Sequence, residues 1–280
     1  MRAVAMKQRM KSMARVPMLA FNRLTGLRLG LHVARFVLQD AQAAARYAVR
    51  AGARRAERST VASASTTADW FAVSRAHFGG GPVQIPAEIF ALLELAAASG
   101  TRVACEIGAY DAGSLLLSRG IPGVDTLFVI DLYVKNRWRL RRAAPTGQTI
   151  HAIDGESSHP LTVDRLRRKL GGWRLDLLLI DGDHEFAGVQ KDLLTYRQFV
   201  RNGGLIAFHD IMPVREPGSG RSVGGVPGFW ELVKPLYPSR ELVADRGQEG
   251  LGIGVLTYHD STSVEPIAAA GATGEGSAPP

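Results

Sequence analysis

Short apolar runs alternate with amphipathic segments between Pro86 and His259. The runs are typical of buried β-strands, and the segments between them show helical periodicity. Strands are predicted at 102–107, 126–130, 149–153, 175–180, 204–208 and 251–258, and helices at 85–99, 114–119, 163–170, 185–200 and 229–236. Strands that alternate with helices in this way indicate an α/β fold built on a doubly wound, mostly parallel sheet.

Basic residues are concentrated at the start of the chain. Of the 34 Lys and Arg residues, 13 lie in residues 1–60, where Asp40 and Glu57 are the only acids. The rest of the chain is therefore slightly acidic, although the net charge of the whole is +8. A folded domain without a basic surface argues against a nucleic-acid partner.

Residues 1–60 are predicted to form a helical arm. Apolar residues share one face and arginines are interleaved with them; the apolar positions are Leu31, Ala34, Val37 and Leu38. Such an arm suits an anionic membrane surface, an organelle transit peptide, or packing against the domain or a partner, and the pattern leaves these alternatives open. No charge-free stretch of about 18 apolar residues is present, so no transmembrane helix is expected.

The domain organisation follows from composition. We predict a linker over 61–82, a main domain over 83–259 and a disordered tail over 260–280. The single cysteine excludes a disulfide framework within the chain and favours a reducing compartment. We therefore expect a cytoplasmic protein, with the arm as a means of peripheral attachment to the inner face of a membrane. A homo-oligomer is compatible with the sequence.

Carboxylates stand where the central strands end. The candidates are Glu106 with Gly108 and Gly113, Asp131, Asp154 with Gly155, Asp181 with His184, and His209 with Asp210. Because parallel strands place their carboxyl ends at one sheet edge, these groups are expected to surround one ligand site. The glycine spacing departs from Gly-x-Gly-x-x-Gly, which disfavours a dinucleotide, while Asp131 has the position of an acid that binds both ribose hydroxyls.

The motifs Glu106-Ile107-Gly108 with Gly113, Ile180–His184 and Gly203–Ile211 resemble class I S-adenosylmethionine-dependent methyltransferases. More narrowly, they are similar to the branch with macrocin-type and mycinamicin-type sugar O-methyltransferases and cephalosporin-hydroxylase-like proteins. The resemblance covers residues 83–258. It implies a Rossmann-like sheet of seven strands, in which the last strand is antiparallel beside strand five, and S-adenosylmethionine as the methyl donor.

The resemblance also implies roles for individual residues. The S-adenosylmethionine site would comprise Glu106, Gly108, Gly113, Asp131, Asp154, Gly155 and Asp181, with Asp131 on the ribose and Asp154 beside the adenine. A divalent metal, magnesium or manganese, would be held by Asp181, His209 and Asp210. His209 replaces an acidic residue of the relatives, which shifts the preference of the site toward softer ions. His184 would be the general base, and Asp181 the second catalytic residue.

The expected activity is metal-assisted O-methylation of a sugar hydroxyl in a glycolipid, a saccharide or a glycosylated natural product. A phenolic or other small hydroxylated metabolite is the alternative acceptor. A different class of function is a non-catalytic cofactor-fold module that the arm recruits to a membrane complex, but the full set of strand-end acids favours an enzyme.

Overall fold

The computed structural model describes residues 25–78, 83–110, 113–214 and 223–272. The helices are α1 (Thr25–Val49), α2 (Ala51–Ser63), α3 (Thr67–His77), α4 (Pro86–Ala98), α5 (Gly113–Gly120), α6 (Arg137–Ala143), α7 (Pro160–Leu170), α8 (Phe186–Tyr196), α9 (Val226–Val233) and α10 (Glu265–Ala272). The strands are β1 (Val103–Ile107), β2 (Thr126–Asp131), β3 (Thr149–Asp154), β4 (Leu175–Ile180), β5 (Val200–His209), β6 (Ser239–Leu242) and β7 (Ile253–Thr257).

The strands form one seven-stranded sheet in the order β3-β2-β1-β4-β5-β7-β6. Strands β1 to β5 are parallel, and β7 runs antiparallel to both β5 and β6. This arrangement confirms the predicted α/β methyltransferase-type sheet. The strand order reverses between β1 and β4, so the carboxyl ends of these two strands border the crevice where open α/β sheets bind ligands.

Apolar side chains cover both faces of the sheet, as strand β4 shows. Leu177 and Leu179 belong to the core on the side of α3, α4 and α5, whereas Leu178 and Ile180 belong to the core on the side of α7, α8 and α9. Successive residues of a strand point to opposite faces, so a nearly continuous apolar run is what a strand between two helical layers requires. The two layers hold the strand ends rigidly at the carboxyl edge.

The predicted linker over 61–82 is wrong for half of its length, because it contains α3. Thr66 and Asp69 form a reciprocal capping box at the start of this helix, and Trp70, Phe71 and Val73 are buried. The capping box satisfies free backbone groups at the helix start, and the buried side chains tie the helix to the core. The Ser/Thr-rich composition that suggested a linker reflects the helix start.

The predicted disordered tail is also partly wrong. Helix α10 lies within it, and its Ile267 is fully buried against α8. Gln190 of α8 donates a hydrogen bond to the carbonyl of Ile267. Strand β6 has no counterpart in the sequence prediction, because its Ser-Arg-Glu-Leu sequence is short and polar, as is common for strands at a sheet edge.

The helical prediction for the arm is confirmed over residues 25–60, except for Arg50, and residues 1–24 lie outside the described residues. The apolar face predicted for the arm does not pack on the domain: Val37 and Leu38 are 43% and 59% exposed, and Ala34 is also exposed, whereas Tyr47 is buried. In the part of the chain that the structure describes, no helix is long and apolar enough to cross a membrane. Attachment to a membrane surface, cytoplasmic location and oligomerisation stay predictions.

Candidate active site

Asp131 ends β2 and is held by three backbone N–H groups, those of Tyr110, Tyr133 and Ala109. Its Oδ2 accepts the N–H of Tyr110 at 3.1 Å and its Oδ1 accepts the N–H of Tyr133 at 3.2 Å. Burial raises the pKa of Asp131, and these N–H donors oppose the shift. A carboxylate has about four acceptor sites, so the side chain keeps acceptor capacity for a ribose hydroxyl.

Asp154 ends β3 directly beside Asp131 in the sheet register. Its Oδ1 accepts the N–H of Val134 at 2.9 Å and lies 2.5 Å from Nη2 of Arg137. Gly155, which follows, has a φ of 145°, and a Cβ there would lie 2.4 Å from the Thr162 hydroxyl. The structure therefore places the predicted ribose and adenine acids side by side, and it adds Arg137 as a partner that the sequence reading did not assign.

Glu106 and Gly108 mark the end of β1. Glu106 is fully buried, and Gly108 has a φ of 86°. A Cβ on Gly108 would lie 2.1 Å from the carbonyl oxygen of Asp181, so the close approach of the β1 and β4 ends itself requires glycine. Gly113 begins α5, and the intervening residues 111 and 112 lie outside the described ranges.

Asp181, His184 and Asp210 form a cluster at the ends of β4 and β5. Their potential ligand atoms all lie within 4.8 Å of one another. Nδ1 of His184 is 2.9 Å from Oδ2 of Asp210, and Nε2 of His184 is 3.8 Å from Oδ1 of Asp181. The hydrogen bond to Asp210 raises the pKa of His184. Although burial acts in the opposite direction, the same hydrogen bond helps to hold the pKa of Asp210 below its usual value.

His209 lies next to this cluster and is more deeply buried than His184. Its Nδ1 lies 3.1 Å from Oδ1 of Asp181, and the side chain is 4% exposed. Burial favours the neutral ring, but the negative charges of Asp181 and Asp210 prevail and raise the pKa of His209 to about 9. The structure thus brings His184 together with Asp181 and Asp210. It also places His209, which belongs to the predicted metal set, with its Nδ1 3.5 Å from Oδ1 of Asp210.

Gln84 is a site residue that the sequence reading missed. It precedes α4, is buried, and donates a hydrogen bond from Nε2 to Oδ2 of Asp181 at 3.1 Å. The contact joins positions 97 residues apart. A glutamine in a short loop segment carries no local signal that could have revealed it.

Glu88 is a second residue that the sequence did not reveal. It does not contact the cluster directly but binds the loop that supports Asp210. This buried carboxylate of α4 accepts hydrogen bonds from the backbone of Ala244 (3.1 Å), the side chain of Gln248 (2.7 Å) and the backbone of Gly252 (3.0 Å). The loop that it fixes contains Leu251, whose backbone hydrogen bond reaches Asp210. Asp210 has a φ of 66°, a conformation that needs support from its surroundings.

The donor atoms of the cluster fit a divalent metal. The carboxylates of Asp181 and Asp210 are ligands that magnesium and manganese accept in proteins, and an imidazole beside them suits manganese or zinc better than magnesium. The buried imidazole of His209 contacts Asp181 and helps to orient its carboxylate. Metal ligands must be deprotonated, so binding at His184 or beside it would release protons and strengthen as the pH rises.

Comparisons with known proteins agree with the fold. The profile of the methyltransferase domain family matches residues 105–211, which include the carboxyl ends of β1 to β5. Among solved structures, the chain is similar to an O-methyltransferase from Bacillus cereus in complex with S-adenosylhomocysteine, at 19% identity with a TM-score of 0.47, over 70% of this chain and 91% of that one. No match was found among the curated proteins.

Two further solved structures are similar at the level of the fold. The O-methyltransferase TomG of tomaymycin synthesis, from Streptomyces achromogenes, is 19% identical, with a TM-score of 0.46 over 66% of this chain and 87% of that one. The mycinamycin-pathway methyltransferase MycE, solved with magnesium and S-adenosylhomocysteine, is 16% identical, with a TM-score of 0.42 over 66% and 58%. The family match over residues 105–211 confirms the resemblance that the motifs indicated, and the sheet order is the one that the resemblance implied.

Proposed function

We propose that this protein transfers a methyl group from S-adenosylmethionine to a hydroxyl of a sugar-containing acceptor, with His184 as the general base. The observation that carries the proposal is the 2.9 Å contact between His184 Nδ1 and Asp210 Oδ2, beside Asp181. An alcohol is a poor nucleophile at neutral pH, so a base in reach of its proton is the first requirement.

Asp210 prepares His184 for this role. The lowered pKa of Asp210 keeps the carboxylate ionised, so it accepts the proton of Nδ1 and leaves the lone pair of Nε2 for the acceptor. The His184 side chain is 32% exposed, whereas that of His209 is 4% exposed. His184 is therefore the histidine of the two that an acceptor hydroxyl can reach.

The part of the carboxyl edge formed by the ends of β2 and β3 suits the methyl donor. Bound S-adenosylmethionine supplies a methyl group on a positively charged sulfur. When the methyl group is transferred, S-adenosylhomocysteine leaves as a neutral thioether. Asp131 and Asp154 offer carboxylates to the nucleoside, and an acidic edge favours a cationic donor over a phosphate-rich nucleotide. Holding donor and acceptor side by side supplies much of the rate in such transfers.

Asp181 and Asp210 are the residues that would hold a divalent metal. When bound, such an ion lowers the pKa of a hydroxyl that it contacts. Gln84 and His209 restrain the two oxygens of Asp181, and the loop fixed by Glu88 supports Asp210. The support of the sugar assignment comes from the motifs Ile180–His184 and Gly203–Ile211.

The test is turnover with labelled S-adenosylmethionine and a panel of sugar-containing and phenolic acceptors, with and without a chelator. His184→Ala should lower turnover about 10²-fold while the protein still binds manganese and S-adenosylhomocysteine. His259→Ala is the matched control, because His259 pairs with Asn202 at the opposite sheet edge. Loss of manganese binding in His184→Ala would make the histidine a ligand, and methylation of phenols alone would overturn the sugar assignment.

A further inference from the structure

We propose that helix α1 is the outer wall of the methyl-donor site and that Asp40 is a positioning residue for the nucleoside half of S-adenosylmethionine. The inference rests on one part of the proposed function, the contact of Asp131 with the ribose of S-adenosylmethionine. It gives the basic arm a role in ligand binding that neither the motifs nor the family match assign.

One face of α1 packs on the domain. Phe36, Asp40 and Tyr47 lie at spacings of four and seven residues, which places them along one side of a helix. Tyr47 is buried and its ring lies 4.8 Å from that of Trp138, while the neighbours Val37, Leu38 and Gln39 are exposed. The wall is thus a defined face of the helix, and it lies against the segment that follows β2.

Asp40 is the only acid of α1, and it accepts two hydrogen bonds from that segment. Its Oδ2 is 3.2 Å from the hydroxyl of Tyr133, and its Oδ1 is 3.3 Å from the backbone nitrogen of Asn136. Burial and the charge of Asp40 raise the pKa of Tyr133, so its hydroxyl remains a donor. The backbone N–H of Tyr133 in turn donates to Asp131, so one residue joins the wall to the ribose carboxylate.

The second backbone donor to Asp131 is also tied to α1. The ammonium of Lys135 lies 4.0 Å from the ring centre of Phe36 and 4.3 Å from that of Tyr110. A cation between two aromatic faces attracts both rings. The backbone N–H of Tyr110 donates to Oδ2 of Asp131, so two of the three backbone donors to this carboxylate, Tyr110 and Tyr133, belong to residues linked to α1.

The adenine side is connected through the same tyrosine. The guanidinium of Arg137 lies 4.7 Å from the ring centre of Tyr133 and binds Asp154 at 2.5 Å. Asp40 is therefore connected through Tyr133 to Asp131 and, through Tyr133 and Arg137, to Asp154, the two carboxylates at which the nucleoside is expected. If α1 shifts, the donors that orient Asp131 and the cation that orients Asp154 shift with it, and affinity for the nucleoside should fall.

The experiment is calorimetric titration of S-adenosylhomocysteine into the full-length protein and its variants. Asp40→Ala should weaken binding about tenfold, because two hydrogen bonds to the loop are lost. Gln39→Ala, an exposed neighbour on α1, should bind as the unchanged protein does. Tyr133→Phe should weaken binding less than Asp40→Ala, and the double variant should be no weaker than Asp40→Ala alone, since both changes break one connection.

The melting temperature of each variant separates positioning from general destabilisation. Affinity within twofold of the unchanged protein in Asp40→Ala, whatever its melting temperature, would overturn the inference. Fully additive losses in the double variant would overturn the route through Tyr133. If Asp131→Ala loses affinity and Asp40→Ala does not, the inference fails while the proposed function stands; if the unchanged protein binds no S-adenosylhomocysteine, both fail.

Discussion

Two pairs of carboxylates end neighbouring strands at the same sheet edge, yet their partners differ. Asp131 and Asp154 are held by backbone N–H groups and by Arg137, all of which are fixed donors. Asp181 and Asp210 are held by His184 and His209, which can gain or lose a proton. Asp131 and Asp154 therefore suit a ligand that donates hydrogen bonds. Asp181 and Asp210 suit a proton transfer or a bound metal ion. The residue type is the same, and the partners decide the chemistry.

The junction between the two pairs offers the largest effect. Gly108→Ala would place a Cβ 2.1 Å from the carbonyl oxygen of Asp181, at a φ of 86°. We expect a loss of about 3 kcal/mol or more in the free energy of unfolding, because backbone must move and the conformation is strained.

Gly123→Ala is the control for Gly108→Ala, since Gly123 has a φ of 90° with open space around it. It should lose only about 1 kcal/mol, from the backbone conformation alone. Urea denaturation followed by circular dichroism measures both losses. Equal losses in the two variants would show that the contact between the β1 and β4 ends does not constrain the site.

The strand-end acids were predictable because they follow apolar runs. Once β1 to β5 were assigned and taken as parallel, their last residues had to meet at one edge, and Asp131 and Asp154 do lie side by side. Glycine at position 108 was likewise visible in the sequence, although the structure gives the approach of Asp181 as the reason for it.

Partners that are distant in the chain were not predictable. Gln84 reaches Asp181 over 97 positions, and Glu88 reaches Gly252 over 164. A single sequence records no pairing at that separation. The approach of His184 to Asp181 and Asp210 depends on ring orientation, which packing decides. Which face of α1 packs on the domain was not predictable either, because the apolar residues Val37 and Leu38 are exposed while Asp40 faces the domain.

Asp192, a buried acid of α8, extends the comparison of the two carboxylate pairs. Its carboxylate is bound neither by backbone N–H groups or an arginine nor by a histidine. Its Oδ1 accepts a hydrogen bond from Ser157 at 2.5 Å, and no described residue donates one to its Oδ2. Burial raises its pKa to about 6. The folded state therefore holds this proton more tightly than the unfolded chain, and the protein loses stability as the pH rises from about 4 to about 6.

Asp192→Asn removes that charge and should stabilise the protein by about 1 kcal/mol at pH 8. The advantage should shrink as the pH falls from 6 toward 4, where the aspartate is protonated in the folded state. Denaturation curves at pH 8 and pH 4.5 measure the difference. A variant less stable than the unchanged protein at pH 8 would show that the ionised carboxylate has a partner worth more than its burial penalty.

The different roles of the two carboxylate pairs are tested most directly by a crossed titration. S-adenosylhomocysteine and manganese are each titrated calorimetrically into the unchanged protein, Asp131→Ala and Asp210→Ala. Asp131→Ala should lose about 2 kcal/mol of S-adenosylhomocysteine binding and keep manganese, because we propose that its carboxylate accepts hydrogen bonds from the ribose hydroxyls. Asp210→Ala should lose manganese and keep most of its affinity for S-adenosylhomocysteine. Unchanged S-adenosylhomocysteine affinity in folded Asp131→Ala, or loss of both ligands in either variant, would contradict the division of the edge into a donor half and an acceptor half.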